Sequence, residues 1–279
     1  YDIGLGGHSE GATNMPPLFL IGAGFNADAA NEAGPVYSPY GRREPIECGY
    51  PLLADALRLC FGLNHAPRKK SIEELFAEAL GRRDYSPLER LAGQLMKADY
   101  WLGGQLVSAR RRTCYGEFFE RFKGSHFLTF NYDGLIEIFL LRLGRWRPHD
   151  GYGVLAEVGI SPTEDAPPDG ASASLVLHLH GTLYLCTSEF EWQRQPGAQI
   201  ALCIERGRPL YVFDPDSAAH VFAPWERGAS CLPTPDPQWR IIAPVPNKAE
   251  GLSEVFVREV YAKACDLVRA SGTLAAIGY

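Results

Sequence analysis

Nowhere in this chain do two cysteines form a Cys-x-x-Cys pair, although Cys48, Cys60, Cys114, Cys186, Cys203, Cys231 and Cys265 are present. An odd number of cysteines without paired spacing suits free thiols in a reducing compartment rather than a disulfide scaffold. No apolar run approaches the ~20 residues that a membrane-spanning helix needs. The N-terminus lacks a basic segment leading into an apolar stretch and a cleavage site, so no secretory signal is read. Cytoplasm is the expected compartment, with no membrane partner. Basic excess is lacking too: the formal net charge of −6 argues against a general nucleic-acid surface. Arg110-Arg111-Arg112, the one notable basic cluster, is read as neutralising the negative end of a helix. No internal repeat and no heptad pattern occurs. What remains is an ordinary globular composition, 46% hydrophobic and 22% charged over 279 residues. That length allows one large α/β domain or two small ones.

Residues 1–16, rich in Gly, Ser and Asn, read as a flexible arm, and residues 17–279 as the folded domain. An apolar strand at 17–24 ends in Gly22-Ala23-Gly24, and Ala27 completes a Gly-x-Gly-x-x-Ala. This is how a strand feeds a phosphate-cradling turn and a helix. A loop follows up to Pro51. Helices are then expected from Leu52, behind capping boxes at Ser71–Glu74 and Ser86–Glu89, the last reaching Arg112. A further short helix is read in "YGEFFERF". The stretch "HFLTFNYDGLIEIFLLRLG" repeats the opening grammar, with a strand at His126–Phe130 and Asp133 as the N-cap of a helix. "LVLHLHG", Leu175–Gly181, reads as a third strand.

Residues 182–245 change character. Short alternations such as "ALCIER" and "LYVF", broken by Pro, Asp and Gly, suggest a β-rich insertion, placed at 186–240. Leu252–Ala270 is an amphipathic helix and "TLAAIGY" a last strand. Ending inside that apolar run, the chain is expected to be truncated at its C-terminus.

Strands separated by helices predict an α/β fold: Rossmann-like, mostly parallel, with helices on both faces of the sheet. Ligands of such sheets bind at the carboxyl ends of the strands. Four places therefore stand out: Gly22–Asn26, Asn131–Asp133, His178–Gly181 and Gly278–Tyr279. A dehydrogenase would need a second strand ending in an acid about twenty residues beyond the first Gly. Glu44 is at roughly that distance but stands between Arg43 and Pro45, which is no strand end. Hydride transfer loses its second element.

Asn131 and Asp133 admit two readings. An amide can hold a hydroxyl or a water, and a carboxylate can accept from an amide or a ribose. Equally, Asn131 can make a turn and Asp133 cap the next helix. His178 and His180, two apart on a strand, are expected on one face. They can be structural histidines, metal ligands, or a catalytic base (His180) with a supporting neighbour (His178). Zinc needs further ligands, and only Cys186 is near.

In chain order, Gly-Ala-Gly, Thr-Phe-Asn-Tyr-Asp, Leu-His-Gly-Thr and a Gly-Tyr strand end resemble the sirtuin family. The likeness is closer to divergent sirtuin-like proteins of bacterial defence. It covers most of 17–279, outside much of 186–240. It implies that the backbone of Gly22, Ala23, Gly24, Phe25 and Asn26 approaches the phosphates of NAD. It further implies that Thr129 belongs to the NAD-binding set and Asn131 contacts the nicotinamide ribose or a nearby water. Asp133 would hold the carboxamide, His180 would be the general base, and Gly278 would line the far side of the dinucleotide. The departures are equally specific. The paired zinc cysteines of sirtuin deacylases are absent, so no metal is expected. So is the Gly-Ile-Pro-Asp-Phe-Arg segment; Phe130 replaces Gln, and "RIIAPVPNKAEGL" lacks Phe-Gly-Glu. These losses fall on the peptide side of the site, while the NAD side is kept.

A site that keeps NAD and loses the peptide is expected to hand the ribosyl carbon to water. The chain then reads as an NAD hydrolase of antiphage defence, with NAD as substrate. The resemblance also implies a homo-oligomer or an associated sensor domain. Two alternatives stand beside it: an NAD or ADP-ribose sensor without catalysis, and a zinc-free protein deacylase or ADP-ribosyltransferase.

Overall fold

The computed structural model describes residues 16–37, 45–65, 70–108, 113–147, 150–153, 172–187, 200–205, 208–213, 238–241, 248 and 255–278. The arm up to residue 15, Glu44, the arginine cluster at 110–112, Cys231 and Tyr279 lie outside the described residues. The protein is α/β, built on a parallel four-stranded sheet. Its strands are β1 (Leu18–Ile21), β2 (His126–Thr129), β3 (Val176–His178) and β8 (Leu274–Ile277), in the order β3-β2-β1-β8. β1 pairs in register with both neighbours, Ile21 opposite Thr129 on one side and Ile277 on the other. All four carboxyl ends therefore finish at one edge.

Between β1 and β2 the chain runs through α1 (Ala29–Ala33), α2 (Leu53–Phe61), α3 (Ile72–Gly81), α4 (Ser86–Ala98), α5 (Gly104–Ser108) and α6 (Cys114–Arg121). α7 (Leu135–Arg142) follows β2, and α8 (Val255–Ala270) precedes β8. The core is aromatic where α6 meets the sheet: the Phe19 ring lies 5.1 Å from Phe118 and stacks on Phe127 at 5.6 Å. Phe119, fully buried, stacks on Phe139 of α7 at 4.7 Å. Each such side chain contributes about 1.5–3 kcal/mol through burial.

The capping box at Ser71 is present, with Glu74 N–H donating to Ser71 Oγ at 3.2 Å and Ser71 N–H to Glu74 Oε2 at 2.6 Å. The one expected at Ser86 is not. Asp84 Oδ1 accepts both the backbone N–H and the hydroxyl of Ser86, so Ser86 is drawn into the first turn and Tyr85 becomes the N-cap. The long helix expected beyond Ser86 runs on to Ser108 with helical backbone at both internal junctions, and residues 109–112 lie outside the described set. A π-helical turn, Asp99–Gly103, separates α4 from α5. It buries Asp99, and Gly103 lets Ile138 of α7 approach: a Cβ there would stand 2.8 Å from Ile138 Cδ1. Such wide turns recur at functional sites.

A second, antiparallel sheet of four strands has the order β5-β6-β4-β7. It comprises β4 (Gly181–Thr187), β5 (Ile200–Glu205), β6 (Arg208–Phe213) and β7 (Gln238–Ile241), where the sequence alternates. The connecting residues 188–199, 206–207, 214–237 and 242–247 are outside the described set. Among the described residues no helix is long and apolar enough to cross a membrane.

Candidate functional site

β1 ends in one 3-10 turn, Ala23–Asn26, which docks on the end of β8. Gly22 N–H donates to Ile277 O and Gly24 N–H to Gly278 O, both at 2.9 Å, while Phe25 N–H turns back to Gly22 O at 3.0 Å. Gly278 has φ +81°, and a Cβ on it would stand 2.3 Å from Phe25 N; a Cβ on Gly24 would meet Gly278 O at 2.9 Å. The two backbones touch because neither glycine carries a side chain. The helix behind the turn, α1, is only five residues long. Gly34 and Pro35 follow it, and proline has no N–H with which to continue a helix. Gly278→Ala is therefore expected to cost about 1–3 kcal/mol and to part the turn from β8. Gly272→Ala, where a Cβ meets nothing within 4 Å, is expected to cost much less. Urea unfolding of the two variants checks this.

At the end of β2, Thr129 is wholly buried and staples the strands. Its hydroxyl donates to Ile21 O at 3.0 Å and accepts Asn131 N–H at 3.0 Å. Asn131 leans back on the turn, Nδ2 donating to Gly22 O at 3.4 Å. Asp133 is buried behind it. It is not the N-cap of α7, a position held by Gly134. It still serves the helix start, its Oδ1 accepting Leu135 N–H at 3.3 Å. Burial, then the Glu137 charge, push the Asp133 carboxyl up to about 6; the Asn26 amide and His178 pull the other way. Asn26 lies near enough to act on that carboxyl. It is only 3% exposed, and beyond that pull on Asp133 neither Nδ2 nor Oδ1 meets a partner in full hydrogen-bond geometry among the described residues. A buried amide held so loosely is costly and keeps capacity for a further partner.

The histidines part company. The strand expected over Leu175–Gly181 stops at His178: Leu179 N–H makes the last ladder bond, to Thr129 O at 2.8 Å, and the chain then turns through Leu179 and His180 into Gly181, whose φ is +76°. His178 is buried, with Nδ1 donating to Asn131 O at 2.7 Å and Nε2 lying 2.5 Å from Glu137 Oε1. Burial pulls its basicity down, but the Glu137 carboxylate and the bond to Asn131 O outweigh it and leave it raised. With both nitrogens engaged, His178 orients Asn131 rather than His180. His180 is half-buried in the turn, its ring 4.8 Å from that of Phe130 and 6.5 Å from that of Tyr132. Burial and then the nearby Lys248 ammonium lower it to about 4, so it stands as a neutral imidazole at physiological pH.

The structure thus brings Gly22, Gly24, Asn26, Asn131, Asp133 and Gly278 to one edge, with His180 in the turn after β3. Sequence reasoning missed the groups beneath them. Asp99, 1% exposed, accepts the Tyr50 hydroxyl and Gly134 N–H, each at 2.7 Å, and the Tyr184 hydroxyl. Glu137 could have been read from its helical spacing to Asp133; nothing local marks Tyr50 or Asp99. Among the described residues no group of three or more His, Cys, Asp or Glu could hold a metal ion.

Fold and site together define a class: an α/β protein with a polar, partly buried site at the carboxyl edge of a parallel sheet. No protein-family model and no curated protein matches the chain.

Proposed function

We propose that the chain hydrolyses NAD to nicotinamide and ADP-ribose. The observation that carries this reading is the buried, loosely satisfied Asn26 amide beside the Asp133 carboxyl, where the ends of β1 and β2 meet. A buried amide and carboxylate together complement a primary carboxamide, one supplying donor and acceptor, the other an acceptor. Gly24 and Gly278 meet backbone to backbone, which keeps side chains away from the edge along which a dinucleotide would lie. The sequence resemblance to sirtuins adds to this support. The same reading takes the parallel sheet as Rossmann-like, the antiparallel sheet as an insertion, and NAD depletion in the cytoplasm as the outcome.

The chemistry asks little of an acid. The glycosidic C–N bond breaks with its electron pair going to the ring nitrogen, so the pyridinium departs as neutral nicotinamide. Water adds to the ribosyl carbon and loses a proton, for which neutral His180 is the acceptor. Asn131 aligns the ribose hydroxyl or that water, and Asp133 fixes the carboxamide. Positioning and electrostatics then carry most of the rate.

The test is nicotinamide release from NAD by the purified chain, with and without an acyl-lysine peptide. Release without peptide is expected; release only with peptide makes the chain a deacylase or transferase, and binding without release makes it a sensor. The acid side of the profile has a defined form. Asp133 accepts best when ionised, so kcat/KM is expected to fall about tenfold per pH unit below about 6. A second break is expected only near 4, where His180 protonates. Asp133→Asn removes the break near 6.

A further inference from the structure

We propose that Asp99 is a positioning residue: from beneath the site it fixes the Asn131–Gly134 turn on which the candidate reacting groups stand. The inference rests on the hydrolase reading for its kinetic consequence, though its structural part does not. The π-helical turn delivers the Asp99 carboxyl to Gly134, whose N–H it accepts at Oδ2 at 2.7 Å. Two tyrosines from distant parts of the chain, Tyr50 and Tyr184, close on the same carboxyl. Tyr184 also packs closely against the turn, since a Cβ on Gly134 would stand 2.6 Å from its ring. Tyr132 O, inside the turn, accepts Thr182 Oγ1–H and Leu183 N–H, both at 3.2 Å. The turn is thus gripped from β4 and from the π-helical segment, and Asp99 is where the two grips join.

The protonation state follows from the surroundings. Asp133 on the turn, Tyr50, Tyr184, Tyr152 and Glu137 all face this region, and His178 is its nearest buried base. Burial and then the Asp133 charge hold Asp99 well above the usual carboxylate range, against its three hydrogen bonds. As a neutral acid it loses nothing in geometry. Oδ2 accepts from Gly134 N–H and Tyr184, and a proton on Oδ1 faces the Tyr50 hydroxyl, which can accept as readily as donate. An asparagine keeps the acceptor for Gly134 and Tyr184 and a donor towards Tyr50, with one N–H more than the acid. An alanine does not, leaving a buried N–H and two hydroxyls unpaired.

The experiment compares Asp99→Asn, Asp99→Ala and Tyr184→Phe in the full chain, reading Gly134 amide exchange and the kinetics of nicotinamide release. Asp99→Asn is expected to match the unaltered protein within threefold in both. Asp99→Ala is expected to speed Gly134 exchange at least tenfold and to lower kcat at least tenfold with KM changed less than threefold. Tyr184→Phe, which removes one hydroxyl and keeps the ring, is expected to fall between them and serves if Asp99→Ala does not fold. Unchanged Gly134 exchange in Asp99→Ala, or in Tyr184→Phe where that variant replaces it, overturns the positioning role. Asp99→Asn as defective as Asp99→Ala overturns the neutral acid. If the unaltered chain releases no nicotinamide, the hydrolase reading fails while amide exchange still decides the role of Asp99.

Discussion

Asn131→Ala and His180→Ala are each expected to reduce nicotinamide release from NAD at least a hundredfold while leaving the fold intact. A positioned general base contributes about 10²–10⁴ in rate, which sets the expectation for His180. Its surroundings suit that role despite the weak basicity. Burial and then the Lys248 ammonium keep the imidazole neutral, so it is ready to accept across the physiological range. The water it would serve becomes strongly acidic only as it adds to the cationic ribosyl carbon, late in the reaction. Asn131 differs in that its backbone and side chain do separate work. Its carbonyl is held by His178 and its N–H by Thr129, and both contacts survive truncation to alanine. Only the Nδ2 contact with Gly22 O, long at 3.4 Å, is lost from the fold. A loss of rate in Asn131→Ala therefore reports on the amide itself. Normal turnover in either variant, with an unchanged unfolding curve, removes the role given to that residue.

The parts of the fold that were legible are those fixed by local rules. The apolar runs at Leu18–Ile21, His126–Thr129 and Leu274–Ile277 are strands, and the box at Ser71 caps its helix. Parallel pairing follows from the helices between them, and with it the gathering of Gly22, Asn131 and Gly278 at one edge. What was not legible depends on contacts between residues far apart in sequence. Asp99 meets Tyr50 across 49 positions and Tyr184 across 85, and no window of sequence contains that cluster. The histidine pair failed for a related reason. Alternation along "LHLH" puts both rings on one face only if the strand continues. Here the ladder closes with the Leu179 bond to Thr129 O and the chain turns at Leu179–His180 into Gly181 at φ +76°, leaving His178 buried and His180 half-buried. The capping box at Ser86 was a matter of one residue, since Asp84 competes for the same amide from two positions upstream.

The buried His178–Glu137 pair should respond unequally to the loss of its two members. His178→Ala leaves the Glu137 carboxylate without its partner and the Asn131 carbonyl without its donor, and is expected to cost about 3–5 kcal/mol in urea unfolding. Glu137→Gln is expected to cost about 1 kcal/mol or less. A neutral His178 keeps Nδ1–H on Asn131 O and turns the Nε2 lone pair to the glutamine NH₂. The Tyr152 hydroxyl also acts on the Glu137 carboxyl, and the oxygen that glutamine retains can still accept from it. The pH dependence separates the variants further. The folded protein holds the His178 proton to higher pH than the unfolded chain does. That contribution is complete below about 6.5, the unfolded value, and is lost as pH rises through the raised folded value. Glu137→Gln should flatten that segment of the stability profile. It should also move the acid limb of kcat/KM below 6, because Glu137 is the largest charge acting against ionisation of Asp133. Equal destabilisation by the two substitutions would show that the charge pair is not what holds His178 under Asn131. An unmoved acid limb would show that the limb belongs to a group other than Asp133.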